Sequence, residues 1–296
     1  MHGLLRFCLG ILSTTLFFQL LMGQTGRSDK KFVLKEIGLG YEVRHDRFRF
    51  NFHNPSSFNT AALVPHEFVQ TYTADNQWGI VKASYDLLKL PLLSEFGWTP
   101  QKTNYGDDYD TFYQPSGDVV ISGTTGNVSS RGIRFAEHAG LWRSGRISLE
   151  AGYQYLRYQA RFQFGNSFEI HTLPPSAILE ELPIQETTQS RLHEFDVSAR
   201  HDWPLPNRGK LSAELRYSPV IAVFLTTTLP AKYPGEDIVS FAPSTGLRGR
   251  LALHYVIHAA FLEFFGEYAR EWSYSKSQFR RETFAFGVQI GYIPGP

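Results

Sequence analysis

The stretch RISLEAGYQYLRYQARFQF, residues 146–164, alternates with a period of two. Ile147, Leu149, Ala151, Tyr153 and Tyr155 share one parity, while Ser148, Glu150, Gly152 and Gln154 share the other. That is the pattern of a strand that is apolar on one side only. From Arg157 the polarity swaps: Arg157, Gln159, Arg161 and Gln163 take over the apolar parity, and Leu156, Tyr158, Phe162 and Phe164 occupy the other. An outer face that is apolar for about nine residues and then charged is what a tilted membrane-crossing strand needs if it continues beyond the bilayer.

The same alternation recurs along the chain. Phe284, Phe286, Val288, Ile290 and Tyr292 oppose Thr283, Ala285, Gly287, Gln289 and Gly291, and Leu247, Leu251, Leu253 and Tyr255 oppose Arg248, Arg250 and His254. Short connections such as Lys89-Leu-Pro and Arg143-Ser-Gly alternate with long polar stretches at 106–128 and 171–188, read here as loops. Short turns on one side and long loops on the other are the asymmetry of an outer-membrane barrel. The expected fold is all-β: a transmembrane antiparallel β-barrel of roughly ten strands. Alternation alone would also fit a soluble sandwich. Tyrosines near the ends of the apolar runs and the alternating loop lengths favour lipid outside. Glu150, Glu214, Arg216, Arg248, Arg250, Glu263 and Glu267 are then inside.

Composition agrees. Of 296 residues, 42% are hydrophobic, 15% are aromatic and only two are methionine, a strand-rich balance. The formal net charge of +1 points to no polyanionic partner and no nucleic acid. At the amino terminus, His2 and Arg6 precede an apolar run over 7–22 and a small residue at Gly23, the layout of a cleaved signal peptide. We divide the chain into a signal peptide over 1–24 and a barrel over 25–296; a retained anchor is the alternative. The single cysteine, Cys8, lies in that leader, so the mature chain has no thiol for a nucleophile, disulfide or metal site. No cofactor or metal is expected. Beyond the leader no segment nears the roughly 18 apolar residues of a spanning helix.

The carboxylates Asp107, Asp108 and Asp110 are the one cluster with chemical promise. Asp108 and Asp110 share a strand parity and could converge over the barrel mouth, where two carboxylates can share a proton or hold an attacking water. The plainer reading is an acidic, turn-forming loop or a weak cation site. Ten histidines offer bases, yet none has a spacing that dictates a role. No metal pair at helical spacing, phosphate loop or nucleophile elbow occurs.

KLPLLSEFGW at 89–98, followed by GDDYD at 106–110, resembles the omptins, ten-stranded outer-membrane barrels that act as aspartyl-type endopeptidases. IGLG at 37–40, AGYQ at 151–154, RYS at 216–218 and the closing 286–292 fall in the same order. The resemblance implies that Asp108 and Asp110 match the aspartate pair on one wall of the mouth. The opposite Asp-x-His pair falls at Thr227 and Leu229, neither of which can act as a base. The acidic positions that receive a basic substrate side chain fall near Phe48 and Leu225. The family's lipopolysaccharide-binding tyrosine and arginines match Tyr153, Arg157 and Arg191, with Tyr155 in place of an intervening glutamate.

The resulting expectation is a monomeric omptin-like barrel in the outer membrane of a diderm bacterium, exported by its signal peptide. It keeps lipopolysaccharide and outer-membrane lipid as partners. Lacking the full peptidase constellation, it serves as a surface-exposed structural or binding protein for an extracellular peptide or host protein. An active endopeptidase using Asp108 and Asp110 is the alternative, and a small porin is the third reading, disfavoured because side chains fill a narrow lumen. Tyr158, Phe162 and Phe164 are expected to line the mouth.

Overall fold

A computed structural model describes residues 32–53, 56–57, 67–113, 117–180, 185–228, 237–275 and 278–294. The proposed signal peptide and Leu229 lie outside the described residues. The strands are β1 (Phe32–His53), β2 (Ser56–Ser57), β3 (Glu67–Leu87), β4 (Leu90–Tyr113), β5 (Val119–Ser144) and β6 (Ile147–Thr172). They continue as β7 (Pro175–Glu180), β8 (Gln185–Leu205), β9 (Gly209–Thr228), β10 (Asp237–Ile257), β11 (Ala260–Ser273) and β12 (Phe279–Tyr292).

Ten of these strands form an antiparallel barrel in the order β1-β3-β4-β5-β6-β8-β9-β10-β11-β12, closed by the β1–β12 ladder that pairs Tyr41 with Val288. Closure leaves the barrel no free sheet edge along its ladders, the condition for a sheet to stand in lipid. The short β7 pairs with β6, and β2 pairs with β10 through Ile238 and Ser57. At one end the connections are minimal: Leu88–Lys89, Gly145, Asn207–Arg208 and His258 all adopt positive φ. Positive-φ turns match the twist of antiparallel strands. The long connections leave the other end.

The strands run further than the sequence suggests. The stretches read as loops at 106–128 and 171–188 are largely ladder, since β4 extends to Tyr113, β5 starts at Val119, β6 ends at Thr172 and β8 starts at Gln185. Their polar composition has a physical origin. Above the bilayer the outer face of a strand meets water, so polar residues there say nothing against a strand.

One rule organises the interior. On β1 the outward Ile37, Leu39, Tyr41 and Val43 are exposed, while Glu42, Arg44 and Asp46 point into the lumen and are buried. Four residues on, the assignment inverts without a change of parity: Arg47 and Arg49 face out, and Phe48, Phe50 and Phe52 face in. On β6, Arg157 and Arg161 are outside and Leu156, Tyr158, Ala160 and Phe162 are buried inside. β12 repeats the change between outward Phe284 and Arg280 and between inward Arg281 and Phe279. Below the inversion the outer face is a hydrocarbon belt and the lumen is ionic. Above it the wall is a water-soluble barrel with an aromatic core. The belt on β6, from Ile147 to Tyr155, is roughly 22 Å tall at ordinary strand rise and tilt.

Candidate functional site

The lower lumen is occupied by ion pairs. Arg44 holds Asp46 at 3.0 Å and Glu42 at 3.2 Å, and Arg134 reaches Glu95 at 2.8 Å and Glu42 at 3.2 Å. Arg248 joins Glu194 at 3.2 Å and Gln154 at 2.8 Å. Buried charges persist only when paired and hydrogen-bonded in this way. The space left among them is a cavity of about 40 Å³, room for a few waters. The hydroxyl of Tyr158 donates to Asp46 at 2.5 Å and ties this layer to the core above it. Tyr158 and Phe162 therefore fill the lumen, with Phe162 edge-on to Tyr72 at 5.9 Å, instead of lining an open mouth. The side chain of Phe164 lies outside the described residues.

Asp108 is on the inward face of β4 and fully buried. Its ladder neighbours are Gln70 of β3 and Thr124 of β5. Gln70 Nε2 donates across the lumen to Glu186 Oε1 at 2.7 Å, and Thr188 Oγ1 donates to the same oxygen at 3.2 Å. The hydroxyls of Thr188 and Thr227 are 3.1 Å apart. Asp108 and Thr227 thus belong to one buried polar layer, but across it from Asp108 stand hydroxyl and carboxylate groups. Phe48 and Leu225, near which the omptin resemblance puts the acidic pocket positions, are buried in the core. Asp110 is ladder-paired with Phe68 and Ser122, and its side chain lies outside the described residues. His254 faces Glu263 at 3.5 Å near the opposite end of the barrel. Among the described residues no histidine is hydrogen-bonded into the Asp108 layer, and no cluster of histidine and acidic groups could hold a metal ion.

The outer boundary brings together the other predicted residues. Tyr153 and His193 Nδ1 are hydrogen-bonded at 2.8 Å, and the Tyr155 ring lies 5.0 Å from that imidazole. Directly above, Arg157 and Arg191 are cross-strand partners and both are exposed. Arg131 donates to Gln159 at 2.8 Å, and Arg191 to Gln189 at 2.9 Å. Among the described residues none of Arg131, Arg157, Arg161 and Arg191 is ion-paired to a carboxylate, so this aromatic-backed patch of β5, β6 and β8 is positively charged.

A further polar clasp escaped the sequence reading. Asp118, just before β5, accepts the backbone N–H groups of Thr172 and Leu173, each at 2.8 Å, and lies 2.9 Å from His171 Nδ1. The imidazole also reaches Glu169 at 3.0 Å. The His171 hydrogen bond holds the Asp118 carboxyl down at about 2, and the same bond raises His171. A lone aspartate ahead of a strand gives no sign of this partner 53 residues away.

No protein-family model and no curated protein matches the chain. Among solved structures it is similar to the outer membrane protease OmpT from Escherichia coli, with a TM-score of 0.55, 12% identity, and 92% of this chain and 99% of that one covered. The translocator domain of the autotransporter NalP from Neisseria meningitidis matches at a TM-score of 0.35 and 12% identity, covering 96% of each chain. An outer membrane channel from Pseudomonas putida F1 matches at 0.35 and 7% identity, covering 88% and 96%. At these identities the likeness is one of fold. The ten-stranded barrel expected from the omptin resemblance is the fold present.

Proposed function

We propose that this chain is an outer-membrane barrel without peptidase activity, which anchors itself in lipopolysaccharide and presents its extracellular half as a binding surface. One observation carries the reading: among the described residues the lumen is filled by ion pairs below and by aromatic side chains above, with Asp108 fully buried. A peptide bond must come within hydrogen-bond reach of an activated water before a carboxylate can assist its hydrolysis. The layer around Asp108 offers Gln70, Glu186, Thr188 and Thr227, and no imidazole among the described residues. A filled lumen equally disfavours conduction.

Lipopolysaccharide anchoring is supported by Tyr153, Arg157 and Arg191 at the top of the lipid belt. Guanidinium groups there can take phosphate oxygens bidentately while the aromatic rings pack on acyl chains. An extracellular peptide or host protein would meet the polar outer wall above them.

Purified barrel supplemented with lipopolysaccharide is expected to leave dibasic peptides intact and to give no unitary conductance in planar bilayers. Arg157→Ala with Arg191→Ala is expected to lower co-purified lipopolysaccharide. Cleavage that is abolished by Asp108→Ala would overturn the inactive reading, and steady conductance would favour a pore.

A further inference from the structure

Half-way round the barrel from Tyr153 and Arg191, the outer wall carries a second cationic field. The ladders of β11, β12 and β1 set Trp272 beside Arg280 and Arg280 beside Arg49; one step lower they set Arg270 beside Glu282 and Glu282 beside Arg47. Neighbouring strands are about 4.8 Å apart, so four guanidinium groups crowd a two-by-three grid of side chains. Glu282 is the one carboxylate in it, held by Arg280 and lying 3.8 Å from Arg270. Arg270 and Arg280 are 50% and 49% exposed. Among the described residues neither Arg47 nor Arg49 has a carboxylate within ion-pair distance. The next step down is aromatic, with the rings of Tyr268 and Phe284 4.8 Å apart. The grid therefore sits where the lipid belt ends.

A groove descends from this grid. It is an open hollow of about 600 Å³ lined by Leu215, Leu247, Gly249, Tyr268, Arg270 and Trp272. Gly249 makes its floor: its cross-strand neighbours are Leu215 and Tyr268, and a Cβ added there would meet nothing within 4 Å. The walls are hydrocarbon and the guanidinium of Arg270 stands at the rim. An apolar slot in the lipid-facing wall, capped at headgroup height by four guanidinium groups against the single carboxylate of Glu282, matches one ligand chemistry: acyl chain below, phosphate above.

We propose that this face is a second, specific lipid site, in which an acyl chain of a phosphorylated outer-leaflet lipid of the lipid A type lies over Gly249. Its phosphates are taken by Arg270, Arg280 and Arg47. The site rests on the outer-membrane placement argued above, but not on Tyr153, Arg157 or Arg191.

Binding is measured by native mass spectrometry on delipidated barrel reconstituted with bisphosphorylated lipid A, with its dephosphorylated form, or with phosphatidylglycerol. The background is Arg157→Ala with Arg191→Ala, which silences the first site. That background is expected to retain lipid A. Adding Arg270→Gln with Arg280→Gln should weaken retention about tenfold, the scale of losing charge-assisted hydrogen bonds to phosphate. Gly249→Phe, which fills the slot, should do the same, and dephosphorylated lipid should bind no better than the doubly neutralised variant. Native folding is checked by heat-modifiable migration; the two arginines are surface groups, so their variant tests the proposal even if Gly249→Phe does not insert. Unchanged retention in the arginine variant, or equal retention of phosphatidylglycerol, overturns the proposal. Competition by inorganic phosphate alone also overturns it, by revealing a free-phosphate site. Loss of all lipid A in the background variant would leave only the first site, whereas recovery of the chain outside the outer membrane would defeat the placement itself.

Discussion

Gln70 and Glu186 clasp the extracellular half of the barrel from within: the Gln70 amide of β3 donates to the Glu186 carboxylate of β8 at 2.7 Å, across four intervening ladders. Both side chains are fully buried. Replacing Gln70 by Leu removes a donor from a buried carboxylate and should cost about 1–3 kcal/mol. The measurement is urea unfolding of the reconstituted barrel. An unchanged midpoint would show that the bridge is not a stabilising contact.

The aromatic core above the inversion supplies the second expectation. Phe48 stacks on Tyr72 at 4.8 Å and meets Tyr158 edge-on at 5.0 Å. Phe48→Ala would leave a cavity and cost about 3–5 kcal/mol, as large aromatic truncations in cores do. Conductance should stay at baseline, because the ion pairs around Arg44 and Arg134 still occupy the lumen beneath. A variant that conducts would show that the core is the gate.

How much of this was legible follows from the range of each interaction. The swap at Arg157 is local, written in a single strand, and the structure places it where the lumen turns from ionic to aromatic. Phe48, Phe50 and Phe52 carry the same signal on β1, since they take over the parity of Glu42, Arg44 and Asp46. The burial of Asp108 and its layer with Gln70, Glu186 and Thr227 could not be read in this way. Those residues meet only because β12 closes on β1 and sets which walls face each other. The strand extensions above the bilayer were hidden because a water-facing strand and a polar loop share a composition.

The clasp of Asp118 and His171 gives a pH dependence with a definite sign. His171 is raised above its ordinary 6.5 by Asp118, so its contribution is complete below that value and fades as pH rises through the folded value. Asp118 is held at about 2, below its ordinary 3.8, so its contribution is complete above 3.8 and is lost as pH falls toward 2. Both act together between about pH 4 and 6. Amide exchange of Thr172 and Leu173, corrected for intrinsic rates, should be slowest in that window, and Asp118→Asn should flatten the profile. Protection that is unchanged from pH 4 to 8 in the parent protein would show that the imidazole does not contribute.

The last expectation concerns Thr227, the position where the omptin resemblance would want a catalytic aspartate. Its hydroxyl is fully buried, 3.1 Å from that of Thr188, which in turn donates to Glu186 at 3.2 Å. An aspartate introduced here would add a second carboxylate to the layer of Glu186, which among the described residues takes the Gln70 amide and the Thr188 hydroxyl. Bringing a further carboxylate into a buried layer beside an existing one costs several kcal/mol, on the order of 3. Two neighbouring carboxylates relieve it only by binding a proton between them. Thr227→Asp should therefore lower the unfolding midpoint in urea at neutral pH and recover part of the loss near pH 4, while peptide cleavage stays at background. A gain of cleavage from this one substitution would mean that the mouth around Asp108 opens to substrate, and the inactive reading would have to be abandoned.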